Sequence, residues 1–374
     1  MKIFCMLVFF PLILNAQDIP FDQYDPPSSL IVPAHIVTRA KFPFIDVHNH
    51  QFDMSKETFS LLAKQMDSLN MKIMVNLSGR GFKRETLKDG TFKFGLQDGA
   101  YFKNGIDNAQ AVMPGRMILF TNIDFYGVDD PGWTERTLKQ LETDVKNGAQ
   151  GLKVYKNLGF NVIDGSGKRL PVDDPRLDPV WKRCGELGIP VLIHTGEPRQ
   201  FWQPKDKNNE RLEEMKIHPE RYRDPASNPS WEKLMQEQHN MFRKHPETKF
   251  IMAHMGWLAN DLGSLGKLMD SLPNMYTEIG AILAELGRQP KFAREWFIQY
   301  QDRVMFGKDS WEPSEYYTYF RVLETDDEYF NYYRHYHAFW KMYGMKLPDD
   351  VLKKLYYKNA LKVIPGIDSS MFPN

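Results

Sequence analysis

The sequence predicts an α/β protein, a (β/α)8 TIM barrel with long insertions after its fifth and eighth strands. Three observations predict it. Eight short apolar runs of strand length alternate with segments of helical periodicity, the pattern of a parallel sheet wrapped by helices. Histidines and one aspartate recur where those runs end, on the face where barrels gather functional side chains. The chain has 374 residues, long for one ordinary domain but normal for a barrel with insertions.

The chain divides into a leader at 1–16, an extended arm at 17–41, the barrel at 42–366 and a tail at 367–374. Met1-Lys2 opens with positive charge. The apolar stretch 3–14 is too short to span a bilayer, and Ala16 offers a small residue for cleavage. The mature chain is therefore expected to be exported, to a periplasmic or extracellular location, with no membrane attachment after cleavage. Residues 17–41 are Pro-rich and unpatterned.

Phe44-Ile45-Asp46-Val47 makes the first strand, a buried run that ends in His48-Asn49-His50. Alternation along a strand sends His48 and His50 off the same side, as a metal site requires. A helix over 55–70 follows, with Ser55 as its cap and Phe59, Leu62, Met66 and Leu69 on one face. The second strand is 72–77, followed by a Gly- and Lys-rich loop up to Ala109. The third strand is 116–123 and the next helix 133–146. Strand four, 150–155, carries Lys153 and Tyr155 on one face, with Val154 and Lys156 on the other.

A helix at 178–187 leads to strand five, 189–193, which runs into His194. A helix at 231–244 precedes strand six, 249–253, ending at His254. The helix 258–272, strand seven at 275–279 and the helix 292–300 come next. Strand eight, 303–306, leads into Gly307-Lys308-Asp309. The two segments too long for ordinary loops are 197–229 and 311–348, and loops of that length are usually lids or extra helices.

Composition excludes several classes. Lysine plus arginine and aspartate plus glutamate number 48 each, and removing Lys2 with the leader leaves 47 against 48. Neither nucleic acid nor an anionic membrane is suggested as a partner. The cysteines are two, Cys5 and Cys184, so the mature chain has no intramolecular disulfide. The expected partner is a small-molecule substrate, and a homo-oligomer is possible.

Four of ten histidines stand at strand ends, joined by Asp309. A buried imidazole needs partners, and a metal supplies them. Phe-Ile-Asp-Val-His-Asn-His, Ile-His-Thr-Gly-Glu-Pro, Ala-His-Met-Gly-Trp, Met-Phe-Gly-Lys-Asp and the late Tyr-Lys-Asn-Ala resemble the amidohydrolase superfamily, in its amidohydrolase-2 branch of metal-dependent hydrolases and decarboxylases. Lys308 departs from the pattern, because the family usually has a small or hydroxyl residue there. Alternation places it on the face opposite Asp309.

The resemblance implies that His48, His50, His194 and Asp309 hold one divalent metal, Zn²⁺ before Mn²⁺ or Fe²⁺. It implies that Asp309 also accepts a proton from a metal-activated water, and that His254 polarises the substrate or shuttles the proton. In a two-metal site, His254 and a carboxylated Lys153 would bind the second ion. One metal is favoured over two, with Lys153 a plain ammonium. Further candidates for substrate contact are Arg80, Lys153, Glu197, Trp257, Glu278 and Arg288, with Arg211 near the same face. His35, His218, His239, His245, His335 and His337 read as solvated or structural.

The leading expectation is an exported hydrolase of a small polar lactone, ester or amide. A non-oxidative decarboxylase on the same site is the alternative. The third reading is a non-catalytic binding protein.

Overall fold

A computed structural model describes residues 19–20, 23–86, 92–334 and 339–373. The leader call at 1–16, including Cys5, lies outside them, as do His335 and His337. The chain forms two units, Met1–Ile31 and Val32–Asn374. In the first, described residues form no strand, and Leu30 donates its N–H to Ser28 Oγ. Everything below concerns the second.

The first strand, β1 (Phe44–Asn49), is buried along its whole length, as expected of a parallel strand covered on both faces. Ser55 accepts from the Thr58 N–H and starts a helix at Lys56. That helix ends at Leu69, before Asn70 in the left-handed region, and buries Phe59, Leu62, Met66 and Leu69. Next come β2 (Met71–Asn76), β3 (Phe82–Thr86), β4 (Phe92–Leu96), β5 (Met117–Leu119) and β6 (Thr121–Asn122). Then follow β7 (Leu152–Val154), β8 (Val191–Ile193), β9 (Phe250–Met252), β10 (Met275–Glu278) and β11 (Val304–Met305). The last strands are β12 (Phe330–Asn331) and β13 (Lys341–Met342).

Parallel pairing runs β1-β2-β5 in one sheet and β6-β7-β8-β9-β10-β11 in another. The two join within one stretch of chain. Phe120 donates to Asn76 O, on the β2 side, and Thr121 donates to Gly151 O, on the β7 side. At the other end Val47 donates to Phe306 O and Asp309 to His48 O, which ties the last strand back to the first. The architecture is the α/β barrel that the strand–helix alternation predicts.

The loop expected up to Ala109 is corrected. It contains the antiparallel β3–β4 hairpin and a helix at Gly99–Val112 capped by Asp98. The helix signal is weak because its buried residues are Phe102, Gly105 and Ala109, two of them too small to mark an apolar stripe. The expected helix start at 258 is also late, at Leu262. The segment after β8 holds a short helix, Leu212–Ile217. The segment after β11 holds the helix Pro313–Glu324 and the β12–β13 pair.

Within the second unit the arm residues lack regular structure but are anchored. His35 donates its backbone N–H to Asp327, and Arg39 donates to the carbonyls of Asp67 and Ser68. Cys184 is a free buried thiol. Among the described residues no helix is long and apolar enough to cross a membrane.

Candidate active site at the strand ends

His48 and His50 leave β1 and its end toward one point, where Asp309 Oδ1 lies 3.2 Å from His48 Nε2 and 3.6 Å from His50 Nε2. These three residues form one of two groups of donor atoms close enough to share an ion among the described residues. The other is His48, His254 and Glu278. The His48 ring stacks on His254 at 4.8 Å, and His254 meets His194 edge-on at 4.5 Å.

Behind these rings is a second layer of polar contacts. His48 Nδ1 lies 2.8 Å from Glu278 Oε1, His50 Nδ1 is 2.7 Å from Ser78 Oγ, and His254 Nδ1 is 2.8 Å from the Gly280 carbonyl. With each Nδ1 engaged outward, the Nε2 atoms are left as inward donors to a cation. His194 Nε2 is buried and has no hydrogen-bond partner. That orphaned nitrogen and the converging carboxylate fit a bound divalent metal. A buried polar atom of this kind otherwise costs roughly 1–3 kcal/mol.

Electrostatics agree with that fit. Burial pulls His50 and His194 well below the ordinary imidazole value, and His254 below it too, so all three are neutral and able to ligate. Burial also opposes charge on His48 and the nearby Lys153 adds to that, yet Glu278 and Asp309 outweigh both and raise its pKa. A more basic imidazole is a stronger ligand. Burial would raise Glu278, but His48 and His254 hold it down at about 2. Asp309 is likewise held well below its usual range, against burial, by its contact with His48.

Backbone strain sets two of these side chains. His254, Met255, Gly256 and Trp257 have φ of 57°, 51°, 59° and 57°, a left-handed turn. Asp309 has φ 83°. Such residues are rare outside glycine and collect at functional sites. The opposite directions of Lys308 and Asp309 therefore arise in a left-handed turn past the end of β11, not from strand alternation. Lys308 is fully buried and pairs with Glu315. Gly307 is needed where it stands, because a Cβ there would meet the Glu278 carboxylate and come within 3.0 Å of His48 Cβ.

Lys153, on β7, is buried with Nζ 3.5 Å from His48 Nε2. Burial lowers its pKa to about 8. Tyr155 stands beside it, its hydroxyl 2.9 Å from Ser78 Oγ. Above the cluster opens a cavity of about 280 Å³ whose walls include His194, Glu197, Phe201, His254, Trp257 and Asp309. Trp257 packs 4.6 Å from the His254 ring.

Four substrate candidates are corrected. Arg80 is not among the cavity walls, is buried, and pairs with Asp144 at 3.3 Å. Glu278 is fully buried, outside the cavity walls, and turned to His48 and the His254 N–H, so it supports the histidines and does not reach a substrate in the cavity. Arg288 lies over Trp340 and pairs with Glu210, outside the walls of this cavity. Glu197, Trp257 and Arg211 do line it, whereas Lys153 is buried against His48 and is not among its walls. His218, His239 and His245 lie outside its walls; His245 caps a helix end and bonds Asp178 at 3.0 Å.

Sequence reasoning missed Ser78, Tyr155 as the support of Ser78, and the wall cations Lys156, Arg221, Arg223 and Arg334. Tyr155 was legible from its shared face with Lys153. The arginines come from segments without periodicity, so nothing in the sequence aimed them here.

No curated protein matches the chain. Among solved structures, a 2,6-dihydroxybenzoate decarboxylase from Rhizobium is similar at 16% identity and a TM-score of 0.51, over 86% of this chain and 98% of that one. A 4-oxalomesaconate hydratase from Rhodopseudomonas palustris is similar at 13% identity and a TM-score of 0.50, over 88% and 97%. Both likenesses are of fold. The amidohydrolase profile of the Amidohydro_2 type matches residues 123–366, and with the strand-end histidines, Asp309 and the barrel already in view, the chain belongs to the amidohydrolase family.

Proposed function

We propose that the protein is an exported metal-dependent hydrolase acting on a small polar lactone, ester or amide. The observation that carries this reading is the placement of Asp309, in contact with His48 and His50 and lining the cavity floor. His48, His50, His194 and Asp309 would hold one divalent ion, Zn²⁺ before Mn²⁺ or Fe²⁺. Bound there, such an ion supplies Lewis acidity and makes water a nucleophile near neutral pH.

The chain's own residues do the rest. Asp309, ionised at neutral pH, takes the proton of the attacking water. His254 is neutral with its Nδ1 committed to Gly280, so its Nε2 accepts and returns a proton at the substrate. Trp257 and Phe201 wall the site. Lys153 acts as an ammonium beside the metal site, 3.5 Å from His48 Nε2 and outside the cavity walls. Its carboxylation, with a second metal on His254, is the two-metal version of the same site.

A second reading, non-oxidative decarboxylation, uses the same donors, with the ion orienting a substrate carboxylate instead of activating water. Release of CO₂ from an aromatic acid, without hydrolysis of lactones, esters or amides, would select it.

Elemental analysis and turnover of three variants test the proposal. Proton transfer by a positioned base is worth roughly 10²- to 10⁴-fold, so Asp309→Asn should lose at least that much kcat while retaining some metal. His254→Asn should lose kcat at full metal content with one ion, or drop from two ions toward one, as Lys153→Ala would then do also. A His254 variant with wild-type metal and wild-type turnover would return that histidine to the core.

A further inference from the structure

The helix Pro313–Glu324 belongs to the long segment after β11 and carries three polar side chains close together, Glu315, Tyr316 and Tyr319. Residues three and four apart share one side of a helix. Tyr316 and Tyr319 are fully buried, and a buried tyrosine hydroxyl needs a partner. The partners that these side chains find all stand next to candidate ligands.

Tyr316 reaches β1. Its hydroxyl donates to Asp46 Oδ2 at 2.6 Å and accepts from Asn49 Nδ2 at 3.1 Å. Asp46 Oδ1 accepts the backbone N–H of His48 at 3.0 Å and that of Lys308 at 3.1 Å. Asn49 Oδ1 accepts the backbone N–H of His50 at 3.0 Å. One hydroxyl therefore fixes the acid and the amide that hold the backbone of both β1 histidines.

Glu315 reaches the turn that carries Asp309. It pairs closely with Lys308 Nζ, which also donates to the Ser310 carbonyl at 3.1 Å and to Ser310 Oγ at 3.0 Å. These contacts use the three donors of an ammonium and bracket Asp309 between its two neighbours. Tyr319 reaches the turn after β10. Its hydroxyl accepts the Ala281 N–H at 3.1 Å, one residue past the Gly280 carbonyl that lies 2.8 Å from His254 Nδ1. Asp309 and Ala281 have φ of 83° and 57°. Side chains other than glycine persist there only where the surroundings over-determine the backbone, and at both turns the surroundings include this helix.

We infer that Glu315, Tyr316 and Tyr319 are positioning residues, through which one helix holds the three stretches of backbone that present His48 and His50, Asp309, and His254. None of the three lines the cavity, so each acts through the residues it bonds. The inference rests on the reading of those histidines and Asp309 as the working centre.

The test uses Tyr316→Phe, Tyr319→Phe and Glu315→Gln, with Tyr356→Phe as control. Each Phe variant removes one buried hydroxyl and keeps the ring. Tyr356 is fully buried as well, but its hydroxyl bonds Glu324, the last residue of the same helix. Amide hydrogen exchange of the chelator-treated full chain reads the bracing directly. Tyr316→Phe should speed exchange in 46–50 and 307–310, Glu315→Gln in 307–310 and Tyr319→Phe in 279–282, each about tenfold, the weight of one hydrogen bond. Tyr356→Phe should speed none of these. Zn²⁺ affinity, measured by competition with a chromophoric chelator, should fall about tenfold in Tyr316→Phe and stay at the wild-type value in Tyr356→Phe. The visible spectrum of the Co²⁺-loaded chain should shift in Tyr316→Phe and not in the control, which a general loss of stability would not produce. Exchange that rises evenly along the chain, or equally in Tyr356→Phe, overturns the inference, as does a Tyr316→Phe chain that binds Zn²⁺ as tightly as a Zn²⁺-binding wild type. A wild-type chain that takes up no Zn²⁺ sinks the metal-dependent reading, while the exchange pattern still decides whether this helix holds the three stretches.

Discussion

A single imidazole shows how burial without a partner becomes a pH effect. His239 lies in the helix Trp231–Lys244, and its Nε2 is buried with no hydrogen-bond partner. Burial, then the charge of Arg243, lowers its pKa to about 4, against about 6.5 in the unfolded chain. The sign follows from which state binds the proton. Above pH 6.5 neither state is protonated and nothing is lost. As pH falls from 6.5 toward 4, the unfolded chain takes a proton that the folded one refuses, and stability drops. The loss at pH 4 is up to about 3 kcal/mol. His239→Gln should therefore flatten the acid limb of a chelator-treated protein between pH 6.5 and 4. Equal losses in variant and wild type over that range would show that His239 carries no such penalty. From the sequence alone His239 reads as solvated or structural. The helical position was legible, but the missing partner was not, because it depends on what packs across from it.

At the scale of elements, the barrel strands were legible to within about two residues, since each is a buried apolar run, whereas the β3–β4 and β12–β13 pairs were not. Helices with a cap and a clean stripe, such as 56–69 and 231–244, were equally plain. The turns that aim the site were not. After β9 the chain enters the left-handed turn at His254–Trp257, which no alternation or propensity rule foretells. Gly256 has φ 59°, and a Cβ there would overlap the Met252 sulfur. A left-handed L-residue costs roughly 1–2 kcal/mol before any such clash. Gly256→Ala should thus cost about 1–3 kcal/mol, lower the melting temperature by several degrees, and depress kcat by shifting His254 and Trp257. Gly263→Ala is the control. It lies in the helix Leu262–Ser271, where a Cβ would meet only Asp261 Oδ1, at an ordinary 3.8 Å. There alanine should be neutral or stabilise by about 0.5–1 kcal/mol. Equal effects at the two glycines would mean that the left-handed turn is unstrained.

For the whole molecule, the candidate metal site sits on the seam that closes the barrel. His48 and His50 come from the first strand and Asp309 from the last, and the same residues join by backbone, with Asp309 N–H donating to His48 O at 2.7 Å. An ion held by both sides would bind only when the seam is closed. Ligand binding confined to the folded state stabilises it by RT ln(1 + [L]/Kd), about 2.7 kcal/mol at a hundredfold excess over Kd. For a domain of this size that is roughly 4 °C. Stripping the metal with a chelator should lower the melting temperature by that amount, and adding Zn²⁺ back should restore it in proportion to the logarithm of its concentration. His50→Ala removes a donor from the seam and should erase the metal-dependent increment. His245→Ala loses a bond to Asp178 far from the seam, so its baseline should fall while its metal increment stays whole. If His50→Ala kept the full increment, the ion would be held elsewhere, and the seam would owe its closure to its backbone hydrogen bonds alone.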